Sequence, residues 1–138
     1  MTRAEIASLL RLDGEPRRVL VVEDAPGHYD AMVAWLEREG YAVTAFGEIH
    51  TLENGILAGE TIDDRPASVE VATLDVAFLD FYFPKEPWNG GRLARALIAA
   101  NPQIRVYGMS SVGAKNAEMV REGALGGMLK RDVASLIR

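Results

Sequence analysis

Side chains that can do chemistry stand directly after four apolar runs of this sequence. Glu23 and Asp24 follow the first run, Asp80 follows the second, and Ser110 and Lys130 end two later runs. If these runs are parallel strands, their carboxyl ends meet at one edge of a sheet, which is where ligands bind in such folds. The sequence therefore predicts that three carboxylates, a hydroxyl and an ammonium converge.

This set of groups suits one type of reaction. Carboxylates at close range repel one another, which raises their pKa values. A divalent cation such as Mg²⁺ removes that conflict, since it takes carboxylates together with water and phosphate oxygens. One carboxylate could then act as a nucleophile, while the metal, Lys130 and Ser110 stabilise the charge of a transferring group. Phosphoryl transfer uses every member of the set.

The elements that would position these groups alternate along the chain. Continuous apolar runs at 19–22 and 76–79 are typical of strands buried on both faces. Residues at helical spacing follow each of them, for example Tyr29, Met32 and Leu36 after the first. We count five strand and helix units, which predicts a parallel sheet with helices on both faces.

Two segments fall outside that alternation. Thr2 and Glu5 have capping-box spacing, which predicts a short helix within residues 1–16. Between the second and third core strands, residues 47–74 form a longer segment. Ile49, Leu52 and Ile56 favour a helix ending near Gly59, followed by a short strand or hairpin insertion before the third core strand.

Composition excludes several classes of protein. The chain has 138 residues, a net charge of −5, 49% hydrophobic residues and no cysteine. This composition excludes a disordered chain, thiol catalysis and thiolate metal sites. It does not favour direct nucleic-acid binding, and no apolar run is long enough to span a membrane. We expect a single-domain cytoplasmic protein.

Four segments together resemble the receiver domain of two-component response regulators, the CheY-like family. They carry the acidic pair, the phosphoacceptor strand, the Ser/Thr strand and the lysine segment of that family. The segments are 19–24, 78–84, 106–111 and 123–130. The resemblance covers residues 17–138 and implies a doubly wound, five-stranded parallel sheet of flavodoxin-like order 2-1-3-4-5.

The resemblance also implies the composition of a metal site. Asp24 and Asp80 would bind Mg²⁺ directly, and Glu23 would act through water. The backbone carbonyl of Tyr82 would be a further ligand. Mg²⁺ is the implied cofactor.

The implied reaction is phosphorylation of Asp80 by a phosphohistidine. Ser110 would hydrogen-bond a phosphoryl oxygen, and Lys130 would pair with Asp80 or its phosphate. The implied partners are a sensor histidine kinase or histidine phosphotransfer protein and a downstream target protein. No effector segment follows Lys130, so we expect a stand-alone signalling domain, not an enzyme, that acts through protein contact without binding nucleic acid or membrane.

Some residues depart from the family pattern. Gly127 stands where the family usually has a switch aromatic, and Arg131 stands where it often has proline. The loop after Asp80 is long and contains Trp88, which could either dock a partner or fold over the sheet edge. His28 and His50 are interpreted as surface or capping residues.

These departures leave alternatives open. The main one is a pseudo-receiver, a phosphorylation-independent interaction module with this fold. An aspartate-nucleophile phosphatase is disfavoured, because Tyr82 occupies the position where that class has a second aspartate. The oligomeric state is also open, with a homodimer through the N-terminal helix as one option.

Overall fold

A computed structural model of the chain describes residues 17–136. The strands in this range are β1 (Arg18–Val22), β2 (Ala42–Phe46), β3 (Glu48–Glu53), β4 (Ile56–Glu60), β5 (Pro66–Glu70), β6 (Val76–Leu79), β7 (Arg105–Gly108) and β8 (Gly126–Gly127). The helices are α1 (Pro26–Arg38), α2 (Gly90–Ala100), α3 (Gly113–Arg121) and α4 (Lys130–Leu136), with a short 3₁₀ turn at Val71–Thr73. The helix predicted within residues 1–16 lies outside the described residues.

The main sheet has five parallel strands in the order β2-β1-β6-β7-β8. Counting only its own strands, this is the predicted order 2-1-3-4-5, so the doubly wound prediction is confirmed. Val22 is the register partner of Leu79, and Leu79 is the partner of Gly108. The three central strands therefore end side by side, which brings the residues that follow them to one edge.

The core is divided between the two faces of this sheet. Alternate residues of β1 point to opposite faces, as in any strand. Val19 and Val21 pack with Met32 of α1 and Val133 of α4. The other face of β1 packs against a second cluster, which draws on α2, α3 and the segment between β2 and β6. Because both faces are covered, the strands have the continuous apolar sequence of a parallel sheet.

The segment after β2 differs from the prediction. The helix predicted on Ile49, Leu52 and Ile56 is wrong, because β3, β4 and β5 form a separate antiparallel sheet in that order. Asn54 and Gly55 turn the chain with φ of 53° and 76°, as a tight hairpin requires. The hairpin buries Ile49 of β3 and Leu57 of the central strand β4 against the core. A small sheet thus covers this face where a helix was expected.

The described chain ends in α4, which runs from Lys130 to Leu136. Within the described residues, no helix combines the length and apolarity needed to cross a membrane.

Candidate functional site

Glu23 and Asp80 follow the adjacent strands β1 and β6 and lie side by side at the edge of the sheet. The Asp80 amide donates to the carbonyl of Val22 at 2.9 Å, which continues the ladder between β1 and β6 one residue past the strand end. The amide of Phe81 donates to Asp80 Oδ1 at 2.8 Å, and the amide of Ala25 donates to Glu23 Oε1 at 3.1 Å. Backbone donors therefore hold both side chains in place.

Lys130 joins these two carboxylates. Its ammonium lies 2.8 Å from Glu23 Oε1 and 3.1 Å from Asp80 Oδ2. Lys130 is the first residue of α4, just after β8 at the edge of the sheet. The two carboxylates are almost completely buried, whereas the lysine side chain keeps 22% of its exposure. The site is thus a buried acidic pair bridged on one side by the ammonium of Lys130.

Burial and charge set the pKa values of these groups. Burial, and then the neighbouring charge of Glu23, raise the pKa of Asp80 to about 6. Burial also raises the pKa of Glu23, against the opposing hydrogen bond from Lys130. Burial alone would lower the pKa of Lys130, but its hydrogen bond to Glu23 and the charges of both carboxylates raise it. The site carries more negative charge than its one lysine balances.

The carboxylates fit a hard divalent cation. Glu23, Asp24 and Asp80 each offer an oxygen within 4.8 Å of the others, and Asp24 is exposed to solvent. Oε2 of Glu23 is buried without a hydrogen-bond partner in the described structure. A buried carboxylate oxygen in that state is costly unless water or a cation satisfies it. Oxygen ligands in this arrangement are those that Mg²⁺ binds.

The remaining predicted site residues, Ser110 and Tyr82, also lie at this edge of the sheet, but their side chains contact other groups. Ser110 is buried at the end of β7, where its hydroxyl accepts from the amide of Val112 at 3.1 Å. The side chain of Tyr82 is half-exposed and meets the Phe81 ring edge-on at 5.3 Å. Within residues 17–136, no hydrogen bond joins either side chain to Lys130 or the carboxylates. Their roles toward phosphate and metal stay predictions.

His28 lies at the site, although no sequence pattern predicted it there. It stands in the first turn of α1, with its side chain only 11% exposed and Nε2 lying 3.9 Å from Glu23 Oε2. Burial, and then the charge of Lys130, lower the pKa of His28. The interpretation as a surface or capping residue is wrong. The usable signal was its position four residues after Asp24, at the start of the helix that leaves the sheet edge.

Trp88 folds back over the molecule. Its indole Nε1 donates to the carbonyl of His50 on β3 at 3.1 Å, and its ring packs against the core cluster. Of the two predicted alternatives, the structure supports folding over the sheet edge. The indole thereby ties the loop after Asp80 to the small antiparallel sheet.

Comparison with known proteins identifies the fold. No family model and no curated protein matches the sequence. Among solved structures, a CheY-like response regulator receiver domain protein from Methanospirillum hungatei JF-1 is 17% identical, with a TM-score of 0.62 over 88% of this chain and 90% of that chain. The CheX–CheY–BeF3–Mg²⁺ complex from Borrelia burgdorferi is 18% identical, with a TM-score of 0.60 over 91% and 89%.

A third similar structure contains a modified aspartate. It is a response regulator protein from Burkholderia pseudomallei with a phosphorylated aspartic acid, calcium ion and citrate. It is 17% identical, with a TM-score of 0.59 over 88% of this chain and 66% of that chain. Likeness at these identities is a likeness of fold. The chain has the fold of a response-regulator receiver domain.

Proposed function

We propose that this chain is a cytoplasmic receiver domain that accepts a phosphoryl group on Asp80 with the help of Mg²⁺. A sensor histidine kinase or a histidine phosphotransfer protein would supply the group, and the phosphorylated form would signal by contact with a target protein. One observation carries the proposal. Lys130 bridges Asp80 and Glu23 at the strand edge, and a third carboxylate lies within reach of both.

In the proposed reaction, an oxygen of the Asp80 carboxylate attacks the phosphorus atom of a phosphohistidine. The new O–P bond forms as the P–N bond breaks, and the leaving imidazole takes up a proton from solvent. Asp80 must be ionised to attack, and a pKa of about 6 leaves it mostly ionised at pH 7 and above. When bound, Mg²⁺ would neutralise charge on the phosphoryl oxygens.

Glu23 gives Lys130 a second anchor in this reaction. When Asp80 becomes an acyl phosphate, its carboxylate charge is lost and the negative charge lies on the phosphoryl oxygens. The ammonium, held at 2.8 Å by Glu23, stays at the edge and can pair with a phosphoryl oxygen. Ser110, which follows β7 next to β6, supplies a hydroxyl that can turn to a second phosphoryl oxygen.

A pseudo-receiver is the alternative, and the same lysine favours it. Lys130 hydrogen-bonds both buried carboxylates and so offsets part of their charge by itself. A protein that never binds metal or phosphate could therefore keep this pair as a structural feature. In that case the fold would serve as an interaction module whose contacts do not depend on phosphorylation.

Intact mass spectrometry distinguishes the two functions. The protein is incubated with Mg²⁺ and a small phosphodonor such as phosphoramidate, then measured with and without a mild base treatment. The proposal predicts one base-labile phosphoryl group, absent from Asp80→Asn and retained in Asp75→Asn, which changes a carboxylate at the opposite end of β6. An unmodified protein, or an adduct that persists in Asp80→Asn, would contradict the proposal and favour the pseudo-receiver.

A further inference from the structure

A buried asparagine bridges two of the segments that carry the proposed phosphate ligands. Asn116 lies in α3 and is 8% exposed. Its Oδ1 accepts from the backbone amide of Ser110 at 2.9 Å, and its Nδ2 donates to the carbonyl of Met128 at 3.0 Å. Ser110 lies two residues after β7, and Met128 stands two residues before Lys130. One side chain thus links α3 to both segments.

Two glycines make room for that side chain. A Cβ added to Gly127 would lie 2.5 Å from the Cβ of Asn116, closer than real atoms approach. A Cβ added to Gly108 would lie 2.7 Å from Oδ1 of Asn116. Position 127 therefore has no room for a side chain, aromatic or small, while Asn116 keeps its place.

The hydrogen bonds of Ser110 determine how a movement of this residue would affect Asn116. Its hydroxyl accepts from the amide of Val112, one residue before α3, so it faces its own loop. The hydroxyl keeps a proton that it can donate to a phosphoryl group on Asp80, and we expect that contact to shift Ser110 toward β6. Its backbone amide is held by Asn116, so the shift would act on α3 and on the carbonyl of Met128.

We propose that Asn116 is a positioning residue that couples Ser110 to α3 and to the Lys130 segment, in the space that an aromatic switch would otherwise occupy. The proposal rests on the proposed phosphorylation of Asp80. Asn116 contacts neither Asp80 nor the transferred group, so it acts only through the backbone of Ser110 and Met128. The exposed residues Val112, just before α3, and Val120, within it, mark the surface that would move with it.

Amide hydrogen exchange of residues 113–121 tests this coupling. The full chain is measured with and without Mg²⁺ and beryllofluoride, a phosphoryl analogue, while isothermal titration calorimetry reports binding. In the wild type, beryllofluoride should change exchange across α3. In Asn116→Ala it should still bind, about tenfold more weakly because one hydrogen-bonded anchor is lost, but the change at α3 should disappear.

Asn101→Ala is the matched control for the loss of stability that follows from removing a buried asparagine side chain. Asn101 is also a buried asparagine, and its Nδ2 donates to the carbonyls of Val71 and Leu74, away from the carboxyl edge. This variant should keep both binding and the α3 response. Should Asn116→Ala not fold, Gly127→Ala tests the same point, since its methyl group displaces Asn116 and should abolish the response.

The outcomes separate the two proposals. An α3 response of wild-type size in Asn116→Ala or Gly127→Ala overturns the coupling role and leaves phosphorylation intact. Loss of the response in Asn101→Ala to the same degree also overturns it, because the effect would then be general destabilisation. A wild type that forms no Asp80 adduct and binds no beryllofluoride overturns both.

Discussion

The ammonium of Lys130 donates to the carboxylate of Glu23 at 2.8 Å, across 107 residues of sequence. The Glu23 side chain is completely buried, so the contact is shielded from solvent on the carboxylate side. A lysine with only one carboxylate partner would lose it when that partner is modified. Here Glu23 is a second partner, so Lys130 can keep a hydrogen bond to a buried carboxylate when Asp80 is modified.

Replacing Lys130 by methionine should destabilise the fold in a pH-dependent way. At pH 8 the variant leaves Glu23 and Asp80 charged without their cation, and we expect a loss of about 2–4 kcal/mol in the free energy of unfolding. The loss should shrink toward pH 5, where the carboxylates with raised pKa values take up protons. Urea unfolding at both pH values measures this.

Lys115→Met is the control for that variant. Lys115 pairs with Glu118 at 3.1 Å, but both side chains are about one-third exposed or more. Such surface pairs contribute at most about 1 kcal/mol. Equal losses in the two lysine variants, or a loss in Lys130→Met that does not change with pH, would argue against a buried site.

Asp80→Asn should stabilise the protein at alkaline pH. The folded-state pKa is about 6 against an ordinary value of 3.8, so the native state binds this proton more tightly than the unfolded chain does. The contribution of Asp80 to stability is therefore most favourable below pH 4 and declines as pH rises through 6.

An asparagine at this position removes that decline, so urea unfolding of Asp80→Asn at pH 8 should show a gain of about 1–3 kcal/mol that vanishes near pH 4. Asp30→Asn, on the exposed surface of α1, should show no such gain. A destabilised Asp80→Asn at pH 8 would mean that the charged form is favoured by the fold.

Mg²⁺ should raise the melting temperature of the wild type at pH 8. A ligand that binds only the native state stabilises it in proportion to its occupancy, and ionised carboxylates bind the cation while protonated ones do not. Thermal unfolding with Mg²⁺ and with chelator measures the shift. Asp24→Asn should abolish it and Asp30→Asn should retain it, whereas a full shift in Asp24→Asn would place the cation elsewhere.

Trp88→Phe should loosen the loop that follows Asp80. The variant loses the bond from the indole to the carbonyl of His50, at a cost of about 1 kcal/mol, and limited proteolysis should cut between residues 81 and 89 more quickly. Trp35→Phe is the control, because the buried indole nitrogen of Trp35 has no hydrogen-bond partner in the described structure. Equal cleavage of the loop in both variants would show that the bond does not hold it.

The sequence predicted the parallel sheet well because its determinants are local. A strand buried on both faces must be apolar throughout, and the polar residue that follows it marks where it ends. The segment after β2 was mispredicted because Ile49, Leu52 and Ile56 fit helical spacing. Asn54-Gly55 between them is a stronger signal for a hairpin, since both residues must adopt positive φ.

His28 and Asn116 could not be found in the same way. The role of each depends on how the fold places it beside other polar groups, since His28 lies beside the buried carboxylate of Glu23 and Asn116 lies between Ser110 and Met128. Asn116 is fixed by Ser110 and Met128, and it fits only because Gly127 has no side chain. A glycine at position 127 forms no periodic pattern in the sequence. It therefore cannot predict a contact with an asparagine eleven residues earlier.

Locating the phosphoryl group is the decisive test of the proposed function. After phosphorylation by phosphoramidate with Mg²⁺, reduction with borohydride converts an aspartyl phosphate to homoserine, and tandem mass spectrometry of the peptides reads out its position. We predict homoserine in place of Asp80 alone, dependent on Mg²⁺ and on Lys130. Homoserine at another aspartate, or none in a protein that remains folded, would contradict the proposal.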